Sequence, residues 1–279
     1  MGGRALAVST ERLDTAHYRL GQCKWSRFEP GFAISRKAMT KTLTELGYYV
    51  TELTAEKATV GGVLQEISNL AASSAPDDIA VIYFATHGGD VEIDGARYLS
   101  LVFYDRMMLS RELDAAWSAF KPGVRIVQVS ETCHAGHNYL NFIINDSLVW
   151  HIFGSLPLVA NPCKNKKQFD PNLQWVVNAN QATYAAATQH LQVGRLSTQI
   201  IHFGACQDGQ EAKVFPDTGG LFTGTFIFVL SQPEAASYDA FFSIVKSDVS
   251  MKTSGTQVPN MVLSGPTVAG FEAQKPLRI

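Results

Sequence analysis

The chain has 279 residues, 46% apolar and 17% charged, with a formal charge of −2 and a pI near 6.4. Such a composition buries a sizeable core in one large domain or two small ones, and with no block of Lys or Arg it excludes an electrostatic footprint for nucleic acid or an anionic membrane. The four cysteines, Cys23, Cys133, Cys163 and Cys206, lack paired spacing, which argues against a disulfide framework and for a reducing, cytoplasmic setting. No apolar run reaches membrane-spanning length, Arg4 to Ser9 is too short for a signal core, and Leu6 breaks a myristoylation start. The fold is therefore expected to begin at once.

Arg4 to Ser9 reads as a first buried strand and Tyr18 to Pro30 as a loop. Met39, Leu43 and Leu46 then share one side of a helix that starts from Ser35 as N-cap and ends before Gly47. Tyr48 to Leu53 is a second strand, and Val60, Leu64, Ile67 and Ala71 mark a second helix. Ile79 to Ala85 is apolar at every position, as in a strand covered on both faces. Val91–Ile93 and Tyr98–Leu101 flank Asp94-Gly95, the signature of a hairpin. Ser110 to Phe120 is helical and Arg125 to Val129 is the next central strand. The rhythm breaks over 138–198, a partly irregular insertion with a basic cluster at Lys164, Lys166 and Lys167. It resumes with a strand at Gln199–Ala205, helices from Leu221 and from Tyr238 to Val249, and a last strand at Pro259–Leu263.

Two of the buried runs end in residues with chemistry. His87-Gly88 follows Ile79–Ala85, and Glu131-Thr132-Cys133-His134-Ala135-Gly136 follows Arg125–Val129. In an open parallel sheet, ligands collect beyond the carboxyl ends of the strands, so groups from neighbouring strands converge there. A thiol is a weak nucleophile until a neighbouring imidazole takes its proton, and His87 is placed to serve Cys133. The backbone N–H groups of Gly88 and Cys133 would form an oxyanion hole. The bland alternative is a small buried thiol and a loop histidine; their common position at strand ends favours the pair.

At these residues the chain resembles caspase-like cysteine peptidases of the metacaspase and orthocaspase branch, which carry His-Gly after one strand and Asp-x-Cys-x-x-Gly after the next. Leu101–Asp105, Ala205–Gln210 and Gly219–Thr225 are also similar to bacterial members. The resemblance implies an α/β fold, a mostly parallel six-stranded sheet sandwiched by helices, in a single domain over 1–279. Within it, 1–137 is large-subunit-like, 138–198 an insertion or linker, and 199–279 small-subunit-like. It further implies an intracellular cysteine endopeptidase with catalytic Cys133 and His87, acting as a monomer on protein or peptide substrates through a thioester. Glu131, Asp208 and Asp90 would line an acidic S1 pocket, so cleavage is expected after Arg or Lys. Lys164, Lys166, Lys167 and Arg195 are candidate self-cleavage sites, since nicking concentrates in exposed loops.

The chain departs from the branch at Glu131, where Asp is usual, and around Cys23-Lys24-Trp25-Ser26, where an Asn-Asp pair is usual. The first departure keeps alive an alternative, a catalytically impaired interaction module with the same fold. Cys133, His134 and His137 form a compact set of ligand types, but no second Cys/His cluster completes a zinc site, and no metal or cofactor is expected. Asp105, Glu112 and Asp114 lack EF-hand spacing, and calcium dependence stays open.

Overall fold

Strands that are apolar at every position must be covered on both faces, and in this chain they fix the plan of the molecule. The computed structural model describes residues 2–18, 29–133, 171–189, 194–207 and 209–279. Its elements begin with β1 (Gly3–Ser9), the single turn α1 (Thr15–Tyr18), α2 (Glu29–Glu45), β2 (Tyr49–Thr54), α3 (Val60–Ser73) and β3 (Ile79–Ala85). Next come β4 (Gly88–Ile93), β5 (Ala96–Val102), β6 (Met107–Leu109), α4 (Ser110–Trp117) and β7 (Arg125–Glu131). Then follow α5 (Pro171–Ala179), α6 (Gln181–Thr188), β8 (Ile200–Gly204), the short β9 (Val214–Phe215) and β10 (Gly219–Gly220), α7 (Leu221–Leu230), α8 (Tyr238–Lys252) and β11 (Asn260–Ser264).

The central sheet has six strands in the order β11-β8-β7-β3-β1-β2. All neighbours are parallel except β11, which runs antiparallel to β8 at one edge. This is the mostly parallel, helix-covered sheet that the apolar runs lead one to expect. Side chains alternate along each strand, so β3 sends Ile79, Val81, Tyr83 and Ala85 into one core with Met39 and Leu43 of α2, Phe226 of α7 and Phe241 of α8. Ala80, Ile82 and Phe84 enter the opposite core with Val63 and Ile67 of α3 and Trp117 of α4.

Three differences from the sequence reading have physical causes. The helix expected from Ser35 starts at Glu29, because Pro30 falls in its first turn, where the missing N–H is no loss. Ser35 is therefore an interior residue, not an N-cap, and its Oγ bonds back to the Gly31 carbonyl at 3.0 Å. The expected hairpin is a three-stranded sheet, with Asp94 and Gly95 both at positive φ (50° and 76°), the conformation a two-residue loop requires. Within 138–198, α5 and α6 bury Leu173, Val176, Val177 and Tyr184 against β4–β6. The Tyr184 hydroxyl accepts the Met107 amide at 3.2 Å and bonds His17 Nε2 at 2.8 Å. Lys164, Lys166 and Lys167 lie outside the described residues, and Arg195 is exposed. Among the described residues, no helix is long and apolar enough to cross a membrane.

Phe203 on β8 anchors the first core. Its ring meets Phe226, Tyr238, Phe241 and Phe242 at centroid distances of 5.4, 6.0, 5.8 and 5.8 Å, and it is wholly buried. Phe203→Ala should lower stability by about 3–5 kcal/mol in urea unfolding, the usual cost of an aromatic-sized cavity.

Candidate active site

The site is built at the carboxyl ends of β3 and β7. These strands pair in parallel with Ala85 opposite Glu131, so His87 and Cys133 each lie two residues beyond the same register pair. Both are partly exposed, whereas the strand residues before them are buried. The two loops touch through backbone: a Cβ built on Gly88 would lie 3.0 Å from the Cys133 carbonyl oxygen and 3.1 Å from that of Ser100. Glycine suits the close approach of the Cys133 peptide, since a Cβ would make two tight contacts with backbone oxygens.

A hydroxyl cluster fixes the turn that carries His87. The Thr10 and Thr86 hydroxyls lie 2.8 Å apart and share the Val102 carbonyl, one donating to it and the other to its neighbouring hydroxyl. The His87 carbonyl accepts the Val102 amide at 2.9 Å. These bonds tie the ends of β1, β3 and β5 into one unit. From α2, Phe32 packs edge-on to the imidazole, with centroids 4.9 Å apart and planes at 83°. On the other side, the buried Cys206 thiol contacts the carbonyls of Thr132 and Gln210, each at 3.4 Å, bracing the chain just before Cys133. Neither Cys133 nor Cys206 forms a disulfide.

The acids expected in S1 are placed differently from one another. Asp90 is buried on β4 and ion-paired with Arg97, which is itself half-exposed. Asp208 lies outside the described residues. Glu131 is fully buried at the end of β7, and its Oε2 accepts the Thr223 amide in the first turn of α7 at 2.6 Å. Burial pushes its carboxyl up from the usual 4.5 to about 7, against the opposing pull of the Thr223 hydrogen bonds. Thr223 also bonds the Tyr83 hydroxyl at 2.8 Å, and Gly220 donates its amide to Ser35 at 2.7 Å. This set joins β3, β7, α2 and the start of α7 beneath the pair. Gly220, Thr223, Phe32 and Cys206 carry these contacts without having been singled out for them in the sequence; the signals were Ala205–Gln210 and Gly219–Thr225, each read as a whole motif.

A second polar group lies inside the sheet. Gln128 donates to Ser130 at 3.0 Å, and His202 Nε2 is 3.3 Å from the same hydroxyl. Burial lowers the His202 imidazole to about 3, so it is neutral at any ordinary pH. No group of three or more possible metal ligands occurs among the described residues; His134 and His137 lie outside them. Of the acids weighed for calcium, Asp105 accepts the Val60 amide at 2.8 Å and Glu112 is chelated by Arg106.

The Caspase domain family matches residues 30–268, most of the chain and both strand ends that carry the pair. The chain belongs to that family. Membership makes it a cysteine-peptidase-type domain with protein substrates. The protein GSU0716 of Geobacter sulfurreducens has a similar crystal structure, with a TM-score of 0.75 at 22% identity over 99% of this chain and 98% of that one. Caspase-1 from Spodoptera frugiperda is similar at a TM-score of 0.53 and 12% identity, over 95% of this chain and 86% of that one. At these identities the likeness is one of fold. No curated protein matches the sequence.

The space above Glu131 generates a stability test. A Cβ on Gly220 would lie 2.1 Å from Glu131 Oε2 and 2.2 Å from Cδ, so Gly220→Ala should cost about 1–3 kcal/mol by overpacking. In a Glu131→Ala background that cost should shrink, giving a coupling energy of about 1 kcal/mol or more in a double-mutant cycle of urea unfolding.

Proposed function

We propose that the protein is a cysteine endopeptidase of the metacaspase and orthocaspase branch, with Cys133 as nucleophile and His87 as general base. The observation that carries this reading is the common register of the two residues, each two positions beyond the Ala85–Glu131 pair. The contact of Gly88 with the Cys133 peptide supports it. His87 takes the thiol proton, and the thiolate attacks the carbonyl carbon of the scissile bond. The Gly88 and Cys133 amides would receive the oxyanion. Collapse expels the amine, to which His87 returns the proton, and leaves a thioester on Cys133. His87 then takes a proton from water, whose oxygen attacks the thioester and releases the acid product and the thiol. The unpaired spacing of the four cysteines suits a reducing, cytoplasmic compartment.

Basic residues are the preferred P1 groups in this reading. Asp90 already has Arg97 as partner and Glu131 has Thr223, so the charge offered to a P1 Arg or Lys falls to Asp208. The same preference makes Lys164, Lys166, Lys167 and the exposed Arg195 substrates for cutting in cis or in trans. The two helices α5 and α6 remain docked on β4–β6 through Tyr184 and its neighbours, so a cut before them would leave the pieces associated.

Cys133→Ala and His87→Ala should each remove nearly all cleavage of fluorogenic Arg and Lys peptides with an unchanged circular dichroism spectrum, and Cys133→Ala should stay uncut where wild type is nicked over 161–198. Full activity in either variant would end the assignment, and failure of a peptidyl electrophile to label Cys133 would favour an interaction module. Asp208→Ala should lower kcat/KM on Arg substrates by roughly 10- to 150-fold, the loss of one charge-assisted hydrogen bond. Equal efficiency, or a preference for Asp at P1, would remove the acidic pocket.

A further inference from the structure

The backbone of His87 and its ring are held by different elements. The His87 carbonyl accepts the Val102 amide at 2.9 Å, and the Thr10 and Thr86 hydroxyls meet at the Val102 carbonyl. These bonds fix the path of the chain at His87. The direction of the imidazole is a separate matter, set by two side-chain torsions that bonds to the backbone do not restrict.

Phe32 restricts them. Its ring centroid lies 4.9 Å from that of the imidazole, with the planes at 83°, so the rotamers that would turn the imidazole into that space are closed. His87 is partly exposed, whereas Phe32 is only 3% exposed and packs in the core that holds Tyr83 and Ala85 of β3, Val214 of β9 and Phe222 of α7. The start of α2, which carries Phe32, is fixed in turn. A Cβ on Gly31 would lie 2.6 Å from the Phe215 carbonyl oxygen and 2.7 Å from the Val214 side chain, so the helix is pressed directly onto β9. One turn further on, Ser35 bonds the Gly31 carbonyl at 3.0 Å and accepts the Gly220 amide of β10 at 2.7 Å. Arg36 reaches Ser9 at the end of β1 at 3.0 Å and pairs with Glu52 of β2. The wall beside the imidazole is thus built on three strands and not on a loop.

We propose that Phe32 is a positioning residue for the reaction: seated on β9 and β10 through the start of α2, it holds the His87 imidazole in the orientation that serves Cys133. The inference rests on the reading of Cys133 and His87 as nucleophile and base. Proton transfer requires the imidazole nitrogen within about 3 Å of its partner, and an imidazole that swings spends part of its time out of reach. Loss of the wall therefore lowers turnover and leaves substrate binding nearly unchanged. It also places the base under the control of the small-subunit-like part of the chain, since β9 and β10 hold the helix from which Phe32 projects.

The test compares wild type with Phe32→Leu, Gly31→Ala and Phe241→Leu, each at a temperature where circular dichroism shows it folded. Leu keeps an apolar side chain in the core and removes the flat ring. Phe241→Leu makes the same change in the same core, on α8 against Phe203 and Phe226. Phe32→Leu should lower kcat on Arg peptides by about 10-fold or more with KM within about 2-fold of wild type. It should also slow iodoacetamide alkylation of Cys133 at neutral pH, read by mass spectrometry of the Cys133 peptide, by about 3-fold or more. Phe241→Leu should stay within about 2-fold of wild type in all three, even where its melting temperature falls as far. Gly31→Ala, which keeps the ring and displaces its helix, should lower kcat as well, and should add little in combination with Phe32→Leu. A measurement on wild type needs no variant: the histidine-labelled protein should show one side-chain rotamer for His87, with nuclear Overhauser contacts to the Phe32 ring. Rotamer averaging would overturn the proposal, as would a Phe32→Leu enzyme with full kcat or losses equal to those of Phe241→Leu. A rise in KM at constant kcat would also overturn it, by placing the ring against the substrate instead. If wild type cleaves no peptide, the peptidase reading falls, while alkylation and the rotamer still decide whether Phe32 holds His87.

Discussion

The parallel pairing of β3 with β7 is the constraint on which the site depends. Two strands buried on both faces hydrogen-bond in one register, because a slip of one residue would turn every side chain to the other core. Here the slip is blocked twice over. β3 is held by β1 and β7 by β8, and each of the four strands alternates between the same two cores. The register that results puts Ala85 opposite Glu131, and from it follow the placement of His87 and Cys133 and the close approach of Gly88 to the Cys133 peptide. The threonines at positions 10 and 86 extend this order past the strand ends, where the ladder can no longer impose it.

Much of this was legible in the sequence because continuous apolar runs have few alternatives. Ile79 to Ala85 starts and ends where the composition says, and the residue types at its end and at the end of β7 pointed to the candidate site. The start of α2 was not legible, since Pro30 and Gly31 read as breakers unless the helix is known to begin just before them. The helices α5 and α6 were hidden for another reason. Their Gln/Asn/Ala-rich composition shows weak periodicity, and the residues that hold them, Leu173, Val176, Val177 and Tyr184, dock on strands some eighty positions upstream. Nothing local records such a partner.

The acids of the site show the same limit more sharply. Glu131, Asp90 and Asp208 are alike in sequence, as carboxylates close to a motif. What separates them is the partner. Asp90 faces an arginine seven residues along its own hairpin, whereas Glu131 meets an amide 92 residues away. A charge pair with one exposed member is weakly stabilising. At Glu131, in a dry pocket, burial wins over the hydrogen bonds from Thr223 and raises the carboxyl.

The one-methylene departure at Glu131 is then intelligible from the geometry of α7. Just before that helix comes Gly219 at a φ of 80°, followed by Gly220, whose missing side chain leaves the volume that the longer carboxyl occupies. The first-turn amide of Thr223 faces that volume and needs an acceptor, because the helix cannot supply one. Ser35 serves the Gly220 amide and Glu131 the Thr223 amide, so two of the unsatisfied donors at the start of α7 are met by side chains from α2 and β7. The helix start and the strand end are thereby one packed unit.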